Sequence, residues 1–199
     1  MNSSLAPAFT DPVLDAQSVF RSVMAAMARP GRVQFLDSEL SPPAPLSPGA
    51  AAIALALFDY ETPVWLDGPL SGAGEVAQWL RFHTGAPIAG DPAQAAFALI
   101  AGAKELPELQ TFALGLPDYP DRSTTLIVQV ESLSSGRALS LTGPGIDGTQ
   151  DLLVEPLPGD FAQRMIANRS LFPRGVDLLL VTDYALAAIP RSAHITEEG

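Results

Sequence analysis

The sequence predicts a single-domain α/β protein with a mixed β-sheet flanked by helices. Helical and strand-like segments alternate through the first half of the chain, which favours this class. Residues 176–182 are almost all apolar, as in a central strand that is buried on both faces. The chain has 199 residues and is 47% hydrophobic, so it can bury a sizeable core. Residues 1–10 are predicted to form a flexible tail, and residues 11–199 the single α/β domain.

The first predicted helix begins after Asp11 and ends near Arg29. Asp11 followed by Pro12 is typical of an N-cap and a first helical position. At the other end, Pro30 disfavours a helical conformation in the preceding residue, and Gly31 accepts unusual backbone angles. Between these signals, five side chains recur at helical spacing and, with Val23 adjacent, are predicted to form one buried stripe: Val13, Gln17, Phe20, Met24 and Met27.

Periodicity, proline and glycine predict the elements in the middle of the chain. Helix 49–58 is apolar on nearly every side, which is typical of a fully buried helix, and Ser47-Pro48 marks its start. Residues 95–101 fit either a strand or a buried helix. In chain order, the other predicted elements are a strand at 32–36, a proline-rich loop at 38–48, a strand at 63–66, a turn at Asp67-Gly68-Pro69, and helices at 75–82 and 106–114.

Two strands in the second half, 124–130 and 137–141, are predicted to pair as a hairpin around Ser134-Ser135-Gly136. A weak strand is predicted at 152–154. Strand 185–189 is expected to neighbour or to pair with the central strand. Helix 160–169 is predicted to bury one face, which is formed by Phe161, Met165 and Ile166.

The composition excludes several classes of function. A net charge of −11 opposes non-specific binding to nucleic acid and docking on an anionic membrane. The absence of cysteine excludes disulfides, iron–sulfur clusters and thiolate catalysis, and His83 and His194 alone do not make a multi-histidine metal site. No cofactor and no metal are therefore expected. The longest apolar run, 50–58, is short of the roughly 20 residues of a membrane helix, and no signal peptide is recognised, which predicts a cytoplasmic protein.

The charged fraction is low, at 17%, against about 25% in ordinary soluble domains. Two interpretations remain open: a large core under a sparsely charged surface, or an apolar surface that a partner covers. All basic residues except Lys104 are arginine. Arginine provides a rigid fork that suits carboxylates and phosphates, although a GC-rich genome accounts for the same bias.

Residues 143–148 match the letters of the G-x-G-x-x-G phosphate-binding motif. The motif binds phosphate only between a strand and a helix N-terminus, and the following segment, 149–156, is interrupted by proline and has an extended pattern. Residues 143–148 are therefore interpreted as a glycine turn at a sheet edge. A backbone anion nest that the Thr142 hydroxyl supports is the alternative.

Four residues are candidates for binding an anion or another ligand: Arg81, His83, Arg137 and Thr142. In a helix the side chains of Arg81 and His83 diverge by about 200°, whereas in an extended chain they share a face. His83 either bonds a backbone carbonyl and helps to end the helix, or takes part in acid–base chemistry or anion contact. Arg137 and other arginines beside glycine or proline are candidates to converge on a phosphate or phosphonate.

No catalytic residue is assigned. The sequence contains neither a G-x-S-x-G nucleophile elbow nor a P-loop. Lys104 lies beside Glu105 at the start of a predicted helix, which is a surface context and argues against a Schiff-base lysine. The isolated chain is therefore not expected to be catalytic by itself.

Uncommon short strings in a fixed order extend from about residue 9 to about residue 194. They are Asp15-Ala16-Gln17, Phe20-Arg21, Met27-Ala28-Arg29-Pro30-Gly31, Thr62-Pro63-Val64-Trp65-Leu66, Leu80-Arg81-Phe82-His83-Thr84, Ser132-Leu133-Ser134, Gly136-Arg137, Leu141-Thr142-Gly143, Phe172-Pro173 and Ile189-Pro190-Arg191. As an ordered set they resemble the PhnH family, a subunit of the bacterial carbon–phosphorus lyase core complex.

This resemblance implies a fold like the large domain of pyridoxal-phosphate-dependent transferases, without the cofactor. It also implies a homodimer that joins subunits G, I and J. That assembly forms ribose 1-phosphonate 5-triphosphate from ATP and an alkylphosphonate, as part of phosphonate catabolism. The resemblance supplies no established catalytic residue. The carbon–phosphorus bond is then cleaved by a separate radical subunit, whose iron–sulfur cluster needs cysteines that this chain lacks.

The sequence and the family resemblance leave three functions open. The favoured one is a structural or co-catalytic subunit of this phosphonate machinery. The alternative is an arginine-based binding module for a phosphonate or a nucleotide triphosphate, without catalysis of its own. A self-sufficient enzyme comes last, because the sequence supplies neither a nucleophile–base pair nor a cofactor motif.

Overall fold

The computed structural model of the chain describes residues 6–37 and 39–197. The helices are α1 (Pro12–Ala28), α2 (Pro48–Leu57), α3 (Gly68–Gly72), α4 (Gly74–Thr84) and α5 (Phe161–Arg169). The strands are β1 (Gln34–Phe35), β2 (Val64–Leu66), β3 (Phe97–Ile100), β4 (Thr125–Gln129), β5 (Ser132–Thr142), β6 (Gln150–Glu155), β7 (Asp177–Val181), β8 (Ala185–Ile189) and β9 (His194–Glu197).

Across the described residues these strands form two sheets. The larger sheet has six strands in the order β1-β8-β7-β4-β3-β2, and the smaller has three in the order β6-β5-β9. In the larger sheet, β2, β3, β4 and β7 are parallel neighbours, while β8 and β1 continue the sheet in antiparallel pairings. The predicted α/β class with a mixed sheet flanked by helices is confirmed, and the second, antiparallel sheet is an addition to it.

The central strands of the larger sheet are buried on both faces, and their side chains alternate between two hydrophobic cores. Ile127 of β4 and Leu179 of β7 point into the core under α1, α2 and α4. Leu126 and Leu178, one residue earlier on each strand, point into the core that the small sheet and α5 cover. The molecule is therefore a three-layer sandwich with the larger sheet in the middle.

The predicted helix starts are confirmed for α1 and α2. The Asp11 carboxylate accepts hydrogen bonds from the backbone N–H groups of Val13 and Leu14, at 3.1 and 3.0 Å. The Ser47 hydroxyl accepts from Ala50 N–H at 3.2 Å. In both helices proline occupies the first turn, where its missing N–H is not needed. Helix α2 is buried along residues 49–54, as its apolar sequence predicts.

The predicted buried stripe of α1 is wrong except at Val23, which is buried, and in part at Met27. The residues of α1 that are buried are Val19, Val23 and Ala26, whereas Val13, Gln17, Phe20 and Met24 are exposed and Met27 is partly buried. Both sets have helical spacing, so periodicity alone cannot tell which one faces the core. The small residues pack against the sheet and α2, and an apolar stripe is left facing outward.

The predicted hairpin between 124–130 and 137–141 is also wrong. Strand β4 lies between β3 and β7 in the larger sheet, and β5 belongs to the smaller sheet, where it pairs with β6 and β9. Residues 134–136, assigned to the turn, lie within β5 itself. The chain passes from one sheet to the other at residues 130–131, which a local turn signal cannot distinguish from a hairpin.

Three shorter predictions also differ from the structure. Residues 106–114 form no α-helix and contain only a 3-10 turn at Leu109–Thr111. Asp67-Gly68-Pro69 is the start of the short helix α3 rather than an isolated turn. Ile166 is 56% exposed, although Phe161 and Met165 of the same predicted face are buried. The ambiguous segment 95–101 contains a strand, β3.

The end of the chain follows the sequence closely. Strand β7 lies inside the larger sheet between β4 and β8, and every residue of it is buried, as a central strand requires. Strand β8 is its antiparallel partner. Of the predicted flexible tail, residues 1–5 lie outside the described residues. Residues 6–10 contain no helix or strand, yet Ala6 and Phe9 pack against the first core.

None of the helices in the described part of the chain combines the length and the apolar content that a membrane crossing requires.

Candidate functional site

A cleft of about 920 Å³ opens at the carboxyl ends of the parallel strands. It is bordered by residues 101–102 after β3, by 129–134 from the end of β4 to the start of β5, and by 182–185 from the end of β7 to the start of β8. Ser47, the N-cap of α2, lies at the same edge. In open α/β sheets, ligands bind in crevices outside the carboxyl ends of the strands, so the topology makes this cleft the candidate site.

Gln129 fixes the floor of the cleft. Gln129 is 8% exposed, and its side-chain amide makes three hydrogen bonds. The Oε1 atom accepts a hydrogen bond from Ser47 N–H at 2.7 Å, and Nε2 donates to the carbonyls of Pro45 and Ala101 at 3.0 and 3.1 Å. The amide thereby ties the ends of β3 and β4 to the start of α2, and makes the floor rigid.

Asp67, which follows β2, fixes the end of the neighbouring strand β3. Its carboxylate accepts from Ala101 N–H at 2.7 Å and from Leu70 N–H at 3.1 Å, so it joins the ends of β2 and β3 and caps α3. Burial raises the pKa of Asp67 above its ordinary value, against the opposing effect of these two hydrogen bonds, and Glu105 raises it further. With Gln129, Asp67 satisfies both backbone groups of Ala101.

We expect Asp67→Asn to change how stability depends on pH. Because the pKa of Asp67 is raised in the folded protein, its contribution to stability is greatest at low pH and is lost as the pH rises above the ordinary carboxyl value of 3.8 through the folded value. The wild type should therefore lose stability relative to Asp67→Asn over this interval, and the difference should then become constant. Urea unfolding of both proteins across the acid range measures it. A pH-independent difference would contradict the prediction.

The rim of the cleft combines aromatic and acidic side chains. Phe35 is 81% exposed and Tyr184 63% exposed. Glu131 and Asp183 are exposed carboxylates on the same lining, and the hydroxyls of Ser132, Ser134 and Thr182 add hydrogen-bonding groups. Among the described lining residues there is no arginine, lysine or histidine. The rim therefore repels polyanions and provides no imidazole or amine as a general base.

The structure places Arg81 and His83 in the last turn of α4, away from this lining. Arg81 is exposed. The His83 Nε2 atom lies 3.1 Å from the carbonyl oxygen of Ala6, so His83 does contact a backbone carbonyl, but one in the N-terminal segment and not at the end of the helix. That carbonyl also accepts from Trp79 Nε1 at 2.8 Å, so His83 helps to hold the N-terminal segment. The helix itself ends through Gly85, which has a left-handed backbone conformation.

Arg137 and Thr142 lie on β5, on the opposite side of the larger sheet from α4. Arg137 Nη1 donates to the carbonyl of Pro158 at 2.8 Å and fixes the loop before α5. Thr142 is exposed at the far end of β5, five residues on, so the two side chains leave opposite faces of the strand. The structure does not gather the four candidate residues into one site, and an anion site built from them stays a prediction.

The glycine-rich segment 143–148 joins strand β5 to strand β6, and no helix follows it. It is the turn at a sheet edge that the sequence predicts, and the geometry of a dinucleotide site is missing. Gly145 has a φ of +84°, and a Cβ atom there would lie 2.2 Å from the carbonyl oxygen of Ala28. Glycine is therefore required by close packing against the end of α1. The anion nest beside Thr142 stays a prediction.

None of the four candidate residues named from the sequence lies on the cleft lining, although the family string Ser132-Leu133-Ser134 does. A usable signal exists: polar residues follow apolar strand runs at Gln129 and at Thr182-Asp183. If β4 and β7 are parallel, these polar residues meet at one sheet edge. Pairing 124–130 with 137–141 as a hairpin concealed this, because it gave β4 an antiparallel partner.

The similarities to known proteins extend over nearly the whole chain. The family model described as "Bacterial phosphonate metabolism protein (PhnH)" matches residues 7–196. The chain belongs to the PhnH family. A relative from Rhizobium meliloti (strain 1021), named alpha-D-ribose 1-methylphosphonate 5-triphosphate synthase subunit PhnH, is 44% identical over 96% of this chain and 95% of its own length. A protein from Stutzerimonas stutzeri, named putative C-P lyase subunit protein HtxG, is 33% identical over 92% of this chain and 87% of its own length.

Membership of the PhnH family confirms the resemblance drawn from the ordered strings. Two of those strings have structural roles here. The string 80–84 includes His83, which holds the N-terminal segment. The string 189–191 includes Arg191, which donates to the Asp177 carboxylate and to the Pro120 carbonyl. Packing therefore accounts for part of the signal by which the sequence is recognised.

Proposed function

We propose that this chain is a subunit of the carbon–phosphorus lyase core complex. In this role it is needed for the formation of ribose 1-phosphonate 5-triphosphate from ATP and an alkylphosphonate. The observation that supports it most directly is the 44% identity, over nearly the full length of both chains, to a protein named as a subunit of the corresponding methylphosphonate synthase. The second relative, named as a putative C-P lyase subunit, supports the same role.

The contribution of the chain is structural or co-catalytic. The cleft at the strand ends has hydroxyls and carboxylates on its lining but neither imidazole nor amine among the described lining residues. In this proposal the subunits termed G, I and J supply the reacting groups, and the present chain shapes or stabilises the assembly. We place the assembly in the cytoplasm, and the likeness to the cofactor-free large domain of pyridoxal-phosphate-dependent transferases remains part of this proposal.

The surface of the chain supports assembly with partners. The outward stripe of α1 leaves Val13, Phe20 and Met24 between 47% and 64% exposed. Only 17% of all residues are charged. An apolar surface with few charges is typical of a protein that is covered by other subunits. We propose that the chain forms a homodimer alone and joins a larger complex when its partners are present.

The native mass of the protein, alone and with its partners, tests this proposal directly. The chain is purified alone and after co-expression with subunits G, I and J of the same host, and each sample is analysed by light scattering. We expect twice the chain mass of 20.9 kDa for the isolated protein, and one defined larger species for the co-expressed one. A monomer that co-purifies with none of the three subunits would refute the proposal.

The alternative, an arginine-based module that binds a phosphonate or a nucleotide triphosphate, has a separate test. Calorimetry with ATP and with methylphosphonate on the wild type, Arg81→Ala and Arg137→Ala measures it. Binding that either substitution abolishes would favour the alternative. No heat from the wild type with either ligand would eliminate it.

A further inference from the structure

We propose that the rim of the cleft binds an arginine or lysine side chain of a partner subunit, between the aromatic rings of Phe35 and Tyr184 and the carboxylates of Glu131 and Asp183. The inference depends on the proposed role as a subunit, and extends it by naming the docking surface and the chemistry of the group that enters it.

The first observation is the pair of aromatic rings. Phe35 is paired with Ala185 in the sheet, and the backbone of Tyr184 accepts a hydrogen bond from Leu36 N–H at 2.8 Å, so the two aromatic residues lie at the same sheet edge. They are 81% and 63% exposed. Large aromatic side chains are enriched at the centres of protein interfaces, where they become buried when a partner binds.

The second observation is the uncompensated negative charge on the same lining. Neither Glu131 nor Asp183 has an ion-pair partner within the described ranges 6–37 and 39–197, and no basic side chain borders the cleft there. Two free carboxylates beside two exposed rings are complementary to a cation. A guanidinium or ammonium group gains charge-assisted hydrogen bonds from carboxylates and an electrostatic attraction to ring faces.

The combination of carboxylates and exposed rings favours a protein segment over a free ion. A bare cation would neutralise the carboxylates but leave the rings of Phe35 and Tyr184 in water. An arginine or lysine of a partner brings an apolar stem and neighbouring side chains that cover these rings. The net charge of −11 further favours a partner that presents basic residues.

Affinity measurements on two double variants test the inference. The probe is the assembly of the remaining core subunits, purified without this chain, and the dissociation constant is measured at low and at high salt. Glu131→Gln with Asp183→Asn removes the charges at constant shape, and Phe35→Ser with Tyr184→Ser removes the rings. We expect each double variant to bind about tenfold more weakly or worse. The charge variant should also show a weaker salt dependence than the wild type.

Matched controls are available outside the cleft. Tyr60→Ser removes a ring that is 75% exposed, and Glu75→Gln removes an exposed carboxylate in the first turn of α4. Both should bind like the wild type. All of the replaced side chains face solvent, so the thermal unfolding temperature of each variant should match that of the wild type. A lower unfolding temperature would reveal a folding defect.

The outcomes separate the inference from the proposed function. If the wild type binds the remaining subunits and both double variants bind within about twofold of it, the docking surface is wrong and the subunit role stands. If the wild type does not bind at all, the subunit role fails and the docking surface fails with it. Selective weakening of both double variants, with normal controls, supports the inference.

Discussion

Replacing Asp177 by alanine is expected to lower the free energy of unfolding by about 3–5 kcal/mol, the usual effect of breaking a buried ion pair by removing one partner. Asp177 is 8% exposed and begins β7. Its Oδ1 atom accepts from the backbone N–H of Arg191 at 2.7 Å and from Nε at 3.1 Å, and Oδ2 accepts from Nε at 3.2 Å and from Nη2. Arg191 also donates to the Pro120 carbonyl at 2.7 Å.

The loss is large because the arginine side chain, which is 15% exposed, would stay mostly buried without its counter-ion. Urea unfolding of Asp177→Ala, Arg191→Ala and the double variant measures it as a thermodynamic cycle. The double variant should be destabilised by less than the sum of the two single losses, because the second change removes an already unpaired group. Asp177→Asn keeps the acceptor for the Arg191 backbone and should show an intermediate loss. Additive effects of the two single changes would contradict this account.

Replacing Gly49 by alanine is expected to cost about 3 kcal/mol, at the upper end of the usual range for overpacking a core. Helix α2 lies directly on the larger sheet at this position. A Cβ atom on Gly49 would lie 2.1 Å from the carbonyl oxygen of Thr182 and 2.8 Å from a methyl carbon of Val181. The obstacle is mainly backbone, so α2 would have to move away from β7.

Gly74→Ala is the matched control for this change. Gly74 begins α4, and a Cβ atom there would meet nothing within 4 Å. Alanine at such a site should leave stability unchanged or raise it by about 0.5–1 kcal/mol, because glycine is the more flexible residue in the unfolded chain. Denaturant midpoints of the two variants and the wild type give the comparison. Equal midpoints for Gly49→Ala and Gly74→Ala would show that α2 can shift freely.

The Gly49 variant also has a functional consequence. Ser47, two residues earlier, and Thr182 both border the cleft, so a displaced α2 alters the floor that Gln129 holds. The variant therefore probes stability and the shape of the candidate site together.

Secondary structure was predicted correctly where a capping residue or an apolar run is enough to define the element. Asp11 and Ser47 form the expected caps because their side chains satisfy N–H groups that any helix start leaves free. The apolar run 176–182 became the buried strand β7, since such a composition is stable only between two cores. The ordered strings identified the family, which the match over residues 7–196 confirms.

Local signals failed where the answer depends on what lies across the chain. Helix α1 has two apolar stripes, and only its packing against the sheet decides that Val19 and Val23 are buried while Phe20 and Met24 are not. Strand β5 looks like a hairpin partner of β4, but its partners β6 and β9 lie further along the sequence. Segment 106–114 is apolar because it covers a core, not because it is a helix.

The α/β class, the helix starts, the central strand and the family can all be read from local features of the sequence. Each of these depends on composition, on neighbouring residues or on an ordered set of strings. The parallel pairing of β2, β3, β4 and β7 is visible only in the folded chain. It brings their carboxyl ends together in one cleft with Gln129, Glu131 and Asp183. The lining of this cleft is drawn from residues as distant in sequence as Val33 and Ala185. Strand pairing brings them together, and local periodicity does not encode which strands pair.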